Sequence, residues 1–62
     1  MEKEVIKEFL GKKVKLVQFP NFVLDGIIEE VFEECLKFRT NTQVSVIDFK
    51  AIKEIATLNG DR

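Results

Sequence analysis

The fold of this chain is decided by the run FVLDGIIEEVF at residues 22–32. The run is rich in β-branched and aromatic residues and predicts one long strand, although Gly26 stands near its middle. A glycine weakens a strand interior, and it is useful there when the strand bends sharply or another backbone comes close. One strongly bent strand lets a small sheet curl around its own apolar face. The run therefore predicts a barrel of about five strands.

Alternating apolar and polar residues predict the other four strands of this barrel. These segments are Lys13–Leu16, Cys35–Arg39, Val44–Ile47 and Ala51–Ile55. Short polar or proline-containing connections separate them, as expected for tight turns. Strands at intervals of about ten residues favour an antiparallel barrel or sandwich, and a barrel suits so short a chain better.

An amphipathic helix is predicted before the strands, at residues 2–10. Its apolar stripe consists of Val5, Ile6, Phe9 and Leu10, and Gly11 follows as a left-handed C-terminal cap. Sixty-two residues allow a single domain. We therefore expect one mainly β domain over residues 1–62, with a helix at 2–10, a barrel at 12–55 and a flexible C-terminal tail at 56–62.

The amino-acid composition of the chain limits the classes of function that we expect for it. A formal net charge of −1 argues against strong nonspecific binding to nucleic acid, but residues 1–20 carry five lysines against three glutamates. No apolar run is long enough to span a membrane, and the charged start does not resemble a signal peptide. The lone Cys35 suits a reducing compartment, so we expect a cytoplasmic protein.

Catalysis and metal binding are disfavoured by the residues that the chain lacks. It contains no histidine, and Ser45 and Cys35 are its only serine and cysteine. Histidine triads and ordinary structural zinc sites are therefore excluded. We expect no enzyme activity, no cofactor and no metal site.

Four segments together resemble the Sm-like small barrels of the Hfq type. They are the helix end Phe9-Leu10-Gly11, the strand Lys13–Leu16, the segment Leu24–Glu29 and the ending Ile47–Ile52. In that family the third segment reads apolar, any residue, Gly, any residue, Ile, often followed by Glu. The strand pattern is shared with many SH3-like barrels, whereas the helix and the Lys-Ala-Ile ending favour the Hfq type. The resemblance implies a five-stranded, strongly bent antiparallel barrel of the SH3-like or Sm-like kind.

The resemblance also implies a homo-oligomeric ring, in which strand four of one chain pairs with strand five of the next. Apolar residues at these two edges are then the expected interface: Val44, Val46, Ile52 and Ile55. Unpaired edges invite such pairing. The alternative is that these side chains complete the core of a monomer.

Single-stranded RNA is the partner that the resemblance implies. The pore-site positions of the family fall on Glu34, Asp48, Phe49 and Lys50. Glu34 departs from the family, because a carboxylate cannot stack on a base and repels phosphate. Lys50 keeps the expected charge, and Phe49 either stacks on a base or fills one end of the barrel.

Lysines near the N-terminus offer a second basic surface for phosphates. Lys12 and Lys13 are its main members, and Lys3, Lys7 and Lys15 lie nearby in the sequence. The alternative is that these lysines only keep the surface solvated.

A different function remains open: an SH3-like barrel that acts as a protein-interaction or self-assembly module without binding nucleic acid. The acidic middle of the chain favours this reading. Phe19 and Phe22 flank the Pro20-Asn21 turn, and they either form a contact surface or pack beneath the turn.

Overall fold

Residues 1–58 are described by the computed structural model of the chain. A short helix, α1 (Lys3–Lys7), precedes five strands. The strands are β1 (Lys13–Gln18), β2 (Phe22–Val31), β3 (Cys35–Arg39), β4 (Val44–Asp48) and β5 (Ile52–Thr57), and a 3-10 turn (Phe49–Ala51) joins the last two. The expected mainly β class, with a helix before five antiparallel strands, is confirmed.

The five strands form one antiparallel sheet in the order β4-β3-β2-β1-β5. Each of the first three hairpins pairs neighbouring strands, and β5 returns to the free side of β1. Strands β4 and β5 are therefore the two edges, and no pairing between them closes the sheet within residues 1–58.

The long strand β2 is the centre of the sheet and changes partner along its length. It pairs with β1 up to Ile27 and with β3 from Ile27 onward, with a register shift between Ile28 and Glu30. A Cβ atom on Gly26 would overlap the carbonyl oxygen of Arg39 and lie 3.0 Å from Cε2 of Phe38. Of the two roles considered for a glycine in this strand, the close approach of another backbone is the one that the contacts at Gly26 show.

The core consists of the side chains on one face of the sheet together with a side chain of α1. Its buried members are Ile6, Val14, Leu16, Ile28, Leu36, Phe38, Ile47, Phe49 and Ile52. Ile6 is the helix residue among them and is fully buried. The helix is therefore held by packing rather than by its own length.

The helix is shorter than predicted, since it ends at Lys7 rather than at residue 10. Leu10 instead forms a parallel bridge with Ile28, and the Gly11 amide donates to the Ile28 carbonyl at 2.8 Å. This pairing draws the backbone away from the helix axis. Gly11 has a φ of 79°, the left-handed conformation expected of the glycine after a helix.

The last strand is longer than predicted. Ala56 and Thr57, assigned to a flexible tail from the sequence, extend β5 because they pair with Lys15 and Val14 of β1. Leu58 follows directly after β5, and the remaining residues of the predicted tail, 59–62, lie outside the described residues. No helix within residues 1–58 is long and apolar enough to cross a membrane.

Candidate nucleic-acid and assembly interfaces

A small pocket is lined by the four residues that the resemblance to Hfq-type barrels marks as pore-site positions. This loop pocket has a volume of about 250 Å³ and is lined by Met1, Glu34, Asp48, Phe49 and Lys50. Two loops form it, and the Phe49 amide ties them together by donating to the Glu34 carbonyl at 2.9 Å. The Asp48 side chain accepts from the Lys50 amide at 2.9 Å and so caps the 3-10 turn. The four residues that the family resemblance pointed to thus lie together in the structure.

The chemistry of the loop pocket differs from that of a base-stacking site. Phe49 is only 7% exposed and belongs to the core. Of the two roles left open for this residue, filling the end of the core is the one that the structure shows, and stacking lacks an exposed ring. The Glu34 and Asp48 side chains are exposed beside Lys50. The lining of the loop pocket therefore includes two carboxylates and one lysine.

The N-terminal lysines are more accessible cations. Lys7, Lys12 and Lys13 are exposed, and none of them forms a salt bridge within residues 1–58. Lys3 differs, because its Nζ lies 3.1 Å from Oε1 of Glu33. The predicted basic surface therefore retains unpaired charge at Lys12 and Lys13.

A second depression lies on the outer face of the sheet, away from the core, and Lys13 lines it. This outer groove has a volume of about 610 Å³ and is lined by Lys13, Asp25, Gly26, Ile27, Arg39, Thr40, Asn41 and Leu58. The sequence did not single out Arg39 or Asn41 as site residues. The alternation Lys37-Phe38-Arg39 places Arg39 on the same outer face as Lys13, but finding their proximity requires the strand order.

The two sheet edges differ in what they expose. Val44 and Val46 of β4 point outward, and Val46 is 66% exposed. On β5, Ile52 is buried in the core and Ile55 packs against it. Two of the four predicted interface side chains are thus exposed. Ile52 and Ile55 follow the alternative, completing the chain's own core, and the exposed side chains of β5 include Lys53 and Glu54.

The turn between β1 and β2 exposes aromatic side chains. Phe22 is 70% exposed, and Phe19 and Val23 are also more than half exposed. This turn is fixed to the 3-10 turn that precedes β5, because the Phe19 amide donates to the Ala51 carbonyl at 2.9 Å. Packing beneath the turn, one of the two roles considered for these phenylalanines, is therefore not observed.

No family model, curated protein or solved structure matches this chain. Within residues 1–58, no group of three or more cysteine or acidic side chains is arranged to hold a metal ion. The function is therefore inferred from the edges, lysines and cavities described above.

Proposed function

We propose that the protein is a self-assembling RNA-binding subunit of the Sm-like, Hfq type. In this proposal the curved sheet is an Sm-like small barrel, and β4 of one copy pairs with β5 of the next to form a ring. The observation that carries the proposal is the pair of unpaired sheet edges, with Val44 and Val46 exposed along one of them.

Self-assembly is supported by the unpaired backbone groups of the two edge strands, β4 and β5. An unpaired strand presents a row of free N–H and C=O groups, and natural proteins cover or charge such edges when they remain monomeric. Here the outward side chains of β4 include two valines, and β5 lies at the opposite side of the sheet. Two different edges on one molecule make a head-to-tail contact, which closes into a ring when the rotation per subunit allows it.

Binding of RNA is supported by the unpaired lysines rather than by the loop pocket. Lys12 and Lys13 are exposed, and phosphate contacts of this kind need no stacking ring. The carboxylates of Glu34 and Asp48 disfavour the uridine site that the family resemblance implies. Lys50 remains the one lysine that lines the loop pocket.

Fluorescence anisotropy with uridine-rich and adenine-rich oligomers, at low and high salt, tests the RNA-binding half of the proposal. We expect binding that weakens as salt rises, because counterions are released from the RNA. Lys12→Glu and Lys13→Glu should weaken it more than the control Lys37→Glu, since Lys37 is already paired with Glu30 at 3.5 Å. An intact oligomer that binds neither RNA at micromolar concentration would refute RNA binding.

A protein-interaction module is the second candidate, and the exposed phenylalanines favour it. Phe19 and Phe22 sit on a turn that is hydrogen-bonded to the rest of the sheet, which is how a rigid contact patch is built. Mass measurement in solution separates the candidates. A ring of several copies supports the Sm-like proposal, whereas a monomer that binds a protein partner only with Phe22 intact supports the second.

A further inference from the structure

Large apolar side chains are exposed at two places in the described part of the chain. Those that are more than half exposed are Val44 and Val46 on β4, and Phe19, Phe22 and Val23 at the turn between β1 and β2. The proposed ring covers the two valines of β4. It leaves the other three, which we call the aromatic turn, exposed to solvent. Exposed apolar patches of this kind mark contact surfaces.

The aromatic turn is held in one position by hydrogen bonds to the chain that crosses beneath β1. The Phe19 amide donates to the Ala51 carbonyl at 2.9 Å. Beside it, Nζ of Lys53 donates to the Pro20 carbonyl at 3.4 Å. Phe22 is the first residue of β2 and is therefore part of the sheet. A surface that is already ordered loses little conformational entropy when it binds, so the aromatic turn is suited to a specific contact.

The surroundings of the aromatic turn are electrically balanced. Residues 16–24 are the longest uncharged run of the sequence. The charged residues at the two ends of this run, Lys15 and Asp25, are cross-strand partners of opposite sign. On the other side of β1, Lys53 and Glu54 of β5 also carry opposite charges. A strongly charged partner therefore finds no opposite field here, whereas a second copy of the turn meets no excess of its own charge.

A second copy of the aromatic turn is the occupant that suits such a surface. A two-fold contact places the same patch of two subunits against each other, so the patch has to be complementary to itself. Aromatic and aliphatic side chains meet this condition, because like charges are absent and aromatic rings pack well on one another. A two-fold contact is also closed, since neither turn remains free after it forms.

A single contact of this kind is too small to hold two isolated copies together. The three exposed side chains offer about 300 Å² per copy, against about 800 Å² per partner in a standard interface. The proposed ring removes this limit, because its rotational symmetry presents the turn of every copy in an equivalent position. Two rings related by a two-fold axis bring all their turns together at once, and linked contacts strengthen one another.

We infer that two rings of this protein dock face to face through their aromatic turns, with Phe22 at the centre of each contact. Phe22 is the most exposed member of the turn, at 70%. The inference rests on the ring of the proposed function and adds to it a second surface for self-assembly. The double ring has no free aromatic turn, so assembly stops at twice the mass of the ring.

Native mass spectrometry and analytical ultracentrifugation of the full chain, over a series of concentrations, test the inference. We expect a single ring at low concentration and a species of twice its mass at high concentration. Phe22→Glu places like charges opposite each other and should raise the concentration needed for doubling by more than about tenfold. The single ring should persist in this variant, because β2 is the central strand and lies away from both edges.

Asn41→Glu is the matched control for that variant. It adds the same charge to an exposed residue in the turn after β3. That turn follows the row of Lys13, Ile27 and Arg39, at the end of the sheet opposite to the aromatic turn. We expect Asn41→Glu to form the double ring at the same concentration as the wild type.

Two further variants show whether copies of Phe22 meet each other. Phe22→Leu keeps an apolar side chain and should still form the double ring. Rings of Phe22→Lys should stay single, as those of Phe22→Glu do. A mixture of the two charged variants should double at a lower concentration than either alone, because opposite charges then face each other. If the mixture behaves like the separate variants, the inference is overturned.

The measured masses also separate this inference from the proposed function. A ring that never doubles, or doubling that survives Phe22→Glu, overturns the inference while the proposed ring stands. A chain that is monomeric at every concentration refutes the proposed ring, and the inference falls with it. Doubling that Phe22→Glu abolishes, in a protein that binds no RNA, supports the inference and refutes only the RNA-binding half of the proposed function.

Discussion

Gly26 is required because it has no side chain. At this position β2 leaves its pairing with β1 and comes close to the end of β3, so the backbone of Arg39 occupies the space of a Cβ atom. Gly26 needs no left-handed conformation, because Gly11 is the glycine with positive φ in the described chain. The close approach of the Arg39 backbone, and not a need for an unusual backbone conformation, therefore explains why a glycine occupies position 26.

Replacing Gly26 by alanine should destabilise the chain severely. The new methyl group meets a backbone carbonyl that cannot move without disturbing the β2–β3 pairing, and we expect a loss of about 3 kcal/mol or more in the free energy of unfolding. A domain this small has a reserve of only about 3–5 kcal/mol. Urea denaturation followed by circular dichroism measures the change.

Gly11→Ala is the matched control for that experiment. A Cβ atom at Gly11 would meet nothing within 4 Å, so its cost comes only from the left-handed φ of 79° and should be about 1 kcal/mol. If the two variants unfold at the same urea concentration, close packing at Gly26 is not what the sheet requires.

The burial of individual residues was predictable from the sequence only in strands, where apolar and polar residues alternate. Leu36 and Phe38 alternate with charged residues, and both are buried as their strand pattern indicates. Phe49 lies in a 3-10 turn of three residues, which has no two-residue alternation, so the sequence left its burial open. The exposure of Phe19 and Phe22 was undecided for the same reason, since they flank a turn.

At the scale of elements, local pattern located the strands and long-range pairing set their ends. The predicted bounds of β3, Cys35–Arg39, are those observed, because charged residues and a polar connection flank it. The end of β5 was missed, since Thr57 is strand only through its pairing with Val14. The C-terminus of α1 was missed for a similar reason, because Leu10 bridges to Ile28.

The 3-10 turn between β4 and β5 depends on Asp48, whose side chain caps it. Asp48→Ala removes the acceptor for the Lys50 amide and should cost about 1 kcal/mol of unfolding free energy, as other N-cap losses do. Asp48→Asn keeps an acceptor oxygen and should cost only a few tenths of that. Thermal unfolding of the two variants measures the difference. Equal destabilisation by both would show that the charge of Asp48, and not its capping bond, stabilises the turn.

At the scale of the whole molecule, the spatial grouping of functional residues was only partly predictable. The family resemblance located the loop pocket, because its residues lie in two short connections whose places in the strand order the resemblance implies. The outer groove joins Lys13, Arg39 and Leu58 from three different parts of the chain. No local pattern links these residues, and their meeting follows only from the sheet order.

Assembly through the sheet edges should make the stability of the protein depend on its concentration. Only the folded chain presents the two unpaired edges through which copies associate, so association stabilises the folded state by mass action. A tenfold rise in concentration should raise the midpoint of thermal unfolding by about 5 °C for a domain of this size. Differential scanning fluorimetry over a concentration series, together with mass measurement, records both effects.

The variant Val46→Lys should remove this concentration dependence. Val46 is 66% exposed, so the substitution should change the stability of the isolated subunit by no more than about 0.5 kcal/mol. A lysine on an exposed strand edge opposes pairing with another chain. Gln43→Lys adds the same charge to an exposed residue just before β4 and should leave assembly intact. If the Val46 variant keeps the wild-type mass and concentration dependence, the β4 edge is not where copies of this chain meet.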